Sequence, residues 1–162
     1  MNLPDPLHPA IVHFPIAFLL LGTVMALCSL FVSGAGLRRM TAVVLVLAAL
    51  GAAAASWSGE EDEHAAESAG PAAEQVFEEH EEWGERARNA AIVTALAAAL
   101  AALTISRSPR FSKTTMAVTA ALSLVSSWCV IRAAHYGGEL VYRHGVGVKA
   151  GTEENPAPHD GD

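Results

Sequence analysis

The sequence predicts an all-α integral membrane protein, a bundle of four transmembrane helices. Of its 162 residues, 52% are hydrophobic but only 6% are aromatic, and its many alanines suit lipid because small side chains let helix backbones approach closely. Four apolar stretches reach the length of about 20 residues that crosses the ~30 Å hydrocarbon layer. Lipid offers the backbone no hydrogen-bond partner, so each stretch must be helical. The predicted helices span residues 10–32, 37–57, 71–106 (membrane-embedded from 87 onward) and 114–135.

The connections between these helices differ in charge. The short connections 33–39 and 107–113 are basic and contain no acid, whereas the long connection 58–86 carries 11 of the 17 acidic residues. With four crossings, the two basic connections share one membrane face, and the acidic connection shares the other with both termini. Lys and Arg in short connections mark the cytoplasmic side. We therefore expect both termini to be extracytoplasmic.

The third helix is predicted to begin near Pro71 and to project about 20 Å from the membrane, at ~1.5 Å per residue. Val76, His80, Trp83 and Ala87 fall on one face of this extension. The opposite face is acidic, and it is either a solvated surface or a docking site for a basic partner. Its acids are Glu78, Glu79, Glu81, Glu82 and Glu85.

The histidines predict a site at the same end of the bundle. His13 lies inside the first apolar run and His135 ends the fourth, and polar residues in membrane segments usually face the bundle interior. His80 precedes the third apolar run, which begins at that end, and Arg132 shares a helix face with His135. The sequence thus predicts that these four residues approach one another. The alternative is that they are interfacial anchors at headgroup depth.

A short C-terminal cap is predicted after the fourth helix. Gly137 and Gly138 are expected to end that helix, as glycine does at C′ positions. The following ELVYRHGVGV is β-like and is expected to lie over the mouth of the bundle and hold His144 beside the cluster. Residues 1–150 then form one transmembrane domain, and residues 151–162 form a disordered tail.

These residues suit haem b, because haem iron takes two axial imidazoles and an arginine can pair with a propionate. The expected iron ligands are His13 and His135, with Arg132 at a propionate. His80 is a weaker ligand candidate, and His144 lies near the iron ligands or substitutes for one. The alternative is a zinc or copper site made of three or four of these histidines.

At these residues the sequence resembles a prokaryotic family named domain of unknown function 2231. The similarity lies in LHPAIVHFPIAF (residues 7–18), in GGELVYRHGVGV (residues 137–148) and in the pair His80-Glu81. It implies four transmembrane helices in a bacterial membrane, which we expect to be the inner membrane, and some relatives occur with c-type cytochrome or iron–sulfur domains. The resemblance assigns no activity. The positions that it carries over are His8, His13, His80, His135, His144, Gly137, Gly138, Tyr142 and Gly145.

The leading functional hypothesis is a small, b-type cytochrome-like membrane subunit. It would transfer electrons between a quinone or redox partner and an extracytoplasmic acceptor. A non-catalytic subunit that docks or assembles a redox protein, such as a basic cytochrome, or a larger membrane complex is the second hypothesis. The zinc or copper site is the third. No activated nucleophile or phosphate loop supports an enzyme that acts alone, no catalytic residue is assigned, and no basic patch suits nucleic acid.

Overall fold

A computed structural model describes residues 8–32, 34–59, 66 and 68–148. All regular secondary structure in these residues is helical, and the prediction of an all-α membrane bundle is confirmed. The helices are α1 (His8–Ile11), α2 (His13–Phe31), α3 (Ala35–Gly59), α4 (Pro71–Leu103) and α5 (Pro109–His144). Four of them, α2 to α5, are long and apolar enough to cross a membrane.

The four long helices form a ring in which neighbours along the chain are neighbours in space. Helix α2 packs on α3, α3 on α4, α4 on α5, and α5 returns to α2, while the short α1 packs on α3. The bundle therefore has two ends. The basic end contains the connections α2–α3 and α4–α5. The acidic end contains α1, the end of α3, the start of α4 and the end of α5.

Small residues fill the interior of the bundle. Gly22 on α2 lies so close to α3 that an added Cβ would come within 2.5 Å of Leu45 Cδ2. Buried hydroxyl groups donate hydrogen bonds to carbonyls of their own helix and also contact hydroxyls of neighbouring helices. Thr23 Oγ1, for example, donates to Leu19 O (2.8 Å) and lies 3.0 Å from Ser127 Oγ. Large apolar side chains instead face outward, toward lipid. They include Phe14, Leu20, Val24, Leu50, Leu96 and Ile131.

The extension of α4 has the predicted orientation. The helix begins at Pro71, Ala87 is buried, and Val76, His80 and Trp83 are half-buried against the rest of the protein. The five glutamates of the predicted wet face are all exposed. Helix α4 packs along α5, so the two helices form a hairpin that continues beyond the apolar spans at the acidic end.

The predicted end of the fourth helix is wrong. Helix α5 does not stop at Gly137 and Gly138 but continues to His144, where Gly145 adopts φ +67° and its N–H reaches the carbonyls of Leu140 and Val141. Leu140 is buried as part of this helix and not of a β-like cap. Packing against α4 outweighs the cost of about 1 kcal/mol for glycine inside a helix. The predicted tail, residues 151–162, lies outside the described residues.

Candidate functional site

Two histidines from different parts of the chain meet at the acidic end. His8 on α1 and His80 on α4 have ring centroids 6.0 Å apart, with the ring planes at 88°. His8 is held on α3, because its Nδ1 lies 2.9 Å from Ala55 O and 3.1 Å from Ser58 Oγ. His80 is held on α5, because its Nδ1 lies 2.8 Å from Ala133 O. The pair thus connects α1 and α3 with α4 and α5.

These contacts identify which ring nitrogen carries a proton. A backbone carbonyl only accepts hydrogen bonds, so Nδ1 must be the donor in both histidines. Ser58 donates its own hydroxyl proton to Ala55 O (3.0 Å), which leaves its oxygen as a second acceptor for His8 Nδ1–H. When either ring is neutral, its lone pair therefore lies on Nε2. This is the orientation that a backbone carbonyl gives to a metal-binding imidazole.

Gly137 makes room for the His80 ring. A Cβ added to Gly137 would lie 3.0 Å from Cε1 and 3.2 Å from Nδ1 of His80, closer than about nine in ten Cβ contacts in proteins. Gly138, by contrast, faces open space. The first glycine of the pair thus allows α4 and α5 to pack with an imidazole between them.

A cationic–aromatic cluster lies on the same hairpin. The Arg132 guanidinium stands 5.2 Å from the centroid of Trp83 and 5.0 Å from that of Tyr136, and its Nη2 donates to the Tyr136 hydroxyl (2.7 Å). Arg86 lies 4.7 Å from the Trp83 ring. Each such contact is worth about 0.5–1 kcal/mol at an exposed site. The cluster joins the extension of α4 to α5.

The other predicted site histidines are not buried. His13 on α2 and His135 on α5 are exposed, and His144 is half-buried at the end of α5. His135 packs edge-on against Tyr136, with centroids 5.5 Å apart. Among the described residues, the one contact between two imidazoles is that of His80 with His8, which was not a predicted ligand. The signal for His8 was its place in the same LHPAIVHFPIAF block as His13, but the helix was predicted to begin only at residue 10.

Buried hydroxyl groups bridge neighbouring helices in the middle of the bundle. Thr23 is bonded across to Ser127, and Thr94 Oγ1 lies 2.9 Å from Ser126 Oγ; all four residues are buried. In the part of the chain that the structure describes, no group of three or more His, Cys, Asp or Glu residues is arranged to hold a metal ion.

An acidic groove runs along the extension of α4. Its volume is about 440 Å³, and it lies between the outer face of α4 and the Tyr136 ring of α5. The groove therefore combines three carboxylates with an aromatic ring beside the Arg132 cluster. Its lining residues are Gln75, Val76, Glu78, Glu79, Glu82 and Tyr136.

This fold and this polar end define a small helical membrane protein with four apolar spans and an extramembrane hairpin. Residues 4–150 match the family described as "Predicted membrane protein (DUF2231)". The chain belongs to that family, which confirms the resemblance of its two terminal blocks. Comparison with curated proteins and with solved structures finds no match.

Proposed function

We propose that this protein is a small membrane subunit of an electron-transfer system, and that the acidic face of α4 docks a basic redox partner. The observation that carries the proposal is the exposure of Glu78, Glu79, Glu81, Glu82 and Glu85 on one side of a helix whose other side is packed on α5. The five carboxylates therefore lie on one side of a helix whose position is fixed by its packing on α5. Carboxylates in an unstructured loop would have no fixed arrangement.

Local contacts support a well-ordered docking face. Glu82 pairs with Arg86, and Glu85 lies 3.1 Å from Arg88; exposed pairs of this kind contribute only about 0.2–1 kcal/mol. The main effect of these two pairs is to compensate the negative charge of Glu82 and Glu85, which lie nearest the apolar span of α4. Glu78, Glu79 and Glu81 lie farther along α4 from its apolar span and would meet a cationic partner without a neighbouring arginine to compensate them. Charge complementarity of this kind acts mainly on the association rate.

The experiment measures binding of cytochrome c, a basic redox protein, to the full chain in nanodiscs. Replacing Glu78, Glu79, Glu81 and Glu82 by Gln should slow association about tenfold at low salt and change dissociation less. The matched control removes four acids elsewhere, through Glu153→Gln, Glu154→Gln, Asp160→Asn and Asp162→Asn. Equal losses in both variants, or no loss in either, would leave the α4 acids as a solvated surface.

Haem b is the cofactor that we propose for electron transfer by this subunit. When bound, haem supplies reversible one-electron reduction of its iron. Exposed His13 and His135 offer imidazoles at the acidic end, on the neighbouring helices α2 and α5. A haem that they hold on the outer surface would be open to an adjacent subunit or quinone. Arg132 keeps several N–H donors beyond the one used by Tyr136, which suits a propionate.

A histidine-bound zinc or copper ion is a second candidate, and the His8–His80 pair favours it. Two Zn–N bonds of about 2.0–2.1 Å place imidazole centroids roughly 5–6.5 Å apart, and the observed separation is 6.0 Å. Titration with Zn²⁺ or Cu²⁺ should raise the thermal stability of the protein. His8→Ala should abolish this rise, whereas His13→Ala should preserve it. A rise that survives His8→Ala excludes the pair.

The orientation completes the proposal. Both termini and the acidic end lie on the extracytoplasmic side of a bacterial inner membrane. Arg38, Arg39, Arg107, Arg110 and Lys113 are clustered in or next to the two short connections, which supports this orientation. The docking face would then meet soluble redox proteins outside the cytoplasm.

A further inference from the structure

The basic end contains a cavity lined by three cations. Its volume is about 390 Å³, and it lies where α3 and α5 both begin. Arg110 and Lys113 stand on its exposed side, and Arg38 forms its buried side. The other lining residues are Gly34, Ala35 and Pro109.

Arg38 is the unusual member of this group. It is only 9% exposed, yet one of its nitrogens, Nε, is buried and has no hydrogen-bond partner among the described residues. Its Nη1 donates to Ser112 Oγ (3.1 Å), and that hydroxyl donates to Ala101 O (2.7 Å), so the guanidinium is held against α5. A buried charge without a counter-charge is costly, and proteins normally pair it.

The described part of the chain supplies no counter-charge at this end. No acidic residue occurs between positions 6 and 59 or between positions 86 and 138, which together contain α2, α3, the apolar part of α4 and most of α5. The carboxylates among the described residues lie at the opposite end of the bundle, on the extension of α4 and at Glu139. No carboxylate among the described residues therefore balances the charge of Arg38, Arg110 and Lys113.

Two helix N-termini add to the positive potential. Helices α3 and α5 begin at Ala35 and Pro109, both in the wall of the cavity. The N-cap of α5, Ser108, makes no side-chain capping bond. Unpaired N–H groups in a first helical turn attract anions, phosphate in particular.

We propose that this cavity binds the phosphate group of an anionic phospholipid. The phosphate would accept hydrogen bonds from Arg38 and charge-assisted bonds from Arg110 and Lys113. A lipid is the fitting source because the cavity lies at the end of apolar spans, and large side chains close in sequence to its lining residues are exposed and apolar. These are Phe31, Val32, Met40 and Phe111. Basic pockets between transmembrane helices are typical sites for acidic headgroups.

The test uses the full chain in a neutral detergent, with phosphatidylglycerol as the probe and phosphatidylcholine as the comparison. Native mass spectrometry should show retained phosphatidylglycerol, and thermal unfolding should shift upward with that lipid alone. Arg110→Gln with Lys113→Gln should weaken lipid binding about tenfold or more, because charge-assisted bonds are lost. Both side chains are exposed, so this variant should fold.

The matched control is Arg39→Gln with Arg107→Gln, which removes two exposed cations at the same end that do not line the cavity. It should bind phosphatidylglycerol as the unaltered protein does. Arg38→Met should lose the lipid-dependent shift while keeping its stability without lipid, since it removes an uncompensated buried charge. Equal weakening in both double variants, equal binding of phosphatidylcholine, or stabilisation by inorganic phosphate without lipid retention would each overturn the proposal.

Discussion

The imidazole of His80 lies directly against the backbone of Gly137, so close that a methyl group there would come within 3.0 Å of Cε1. The same ring donates from Nδ1 to Ala133 O, one helical turn before the glycine. The contact with Gly137 therefore determines how closely α4 and α5 approach. The hydrogen bond to Ala133 O directs Nδ1–H of His80 toward α5. The contact with Gly137 also explains why glycine is accommodated inside a 36-residue helix, seven residues before its end.

Alanine at Gly137 should destabilise the protein although alanine is the better helix former. The gain of about 0.8–1 kcal/mol in helix propensity is opposed by overpacking against His80, which typically costs about 1–3 kcal/mol. The midpoint of thermal unfolding in detergent should fall. Gly138→Ala is the control, because its methyl group meets open space and the midpoint should rise. A rise in both variants would contradict the packing of His80 on Gly137.

Gly22 tests the close approach of α2 and α3 in the membrane. An added Cβ would lie 2.5 Å from Leu45 Cδ2 and 2.8 Å from Leu45 Cγ, and Leu45 is buried. Gly22→Ala should therefore lower the unfolding midpoint, and it should lower it less in a Leu45→Ala background, where the added Cβ has room. Gly84→Ala on α4 meets nothing within 4 Å and should not destabilise. A Gly22→Ala variant as stable as Gly84→Ala would show that the helices are farther apart.

The orientation is tested with a reporter that is active only in the cytoplasm. Fusions after Arg39 or Arg110 should be active, because these arginines lie in or beside the short basic connections that the positive-inside rule keeps in the cytoplasm. A fusion after Lys149 should be silent. The reversed pattern would move the docking face and the histidines to the cytoplasm.

Haem binding is tested by the absorption spectrum of the purified protein. We expect a Soret band with reduced α and β peaks, and His13→Ala or His135→Ala should abolish it. His80→Ala should weaken haem retention or shift the potential, and His144→Ala should mainly change solvent access. Arg132→Ala should lower haem affinity without changing the low-spin spectrum. No Soret band even with haem supplied would end the haem hypothesis and leave the docking subunit or the His8–His80 metal site.

The sequence by itself determined the number of spans, their approximate bounds and the two charged ends. These properties depend on local composition, because roughly 20 apolar residues must cross lipid as a helix whatever their neighbours are. The acidic face of α4 was predictable for the same reason, since Val76 and Glu78 differ in polarity and the helical period places them on different faces.

The tertiary structure alone decided where α5 ends and which imidazoles meet. The local signal at Gly137 and Gly138 favours a helix end, but the ring of His80, 57 positions earlier in the chain, occupies the space that Gly137 leaves. His8 joins His80 for a similar reason: α1 packs on α3, and carbonyls from α3 and α5 orient the two rings. Contacts between distant segments depend on helix rotation and close approach, and residue spacing within one helix does not contain that information.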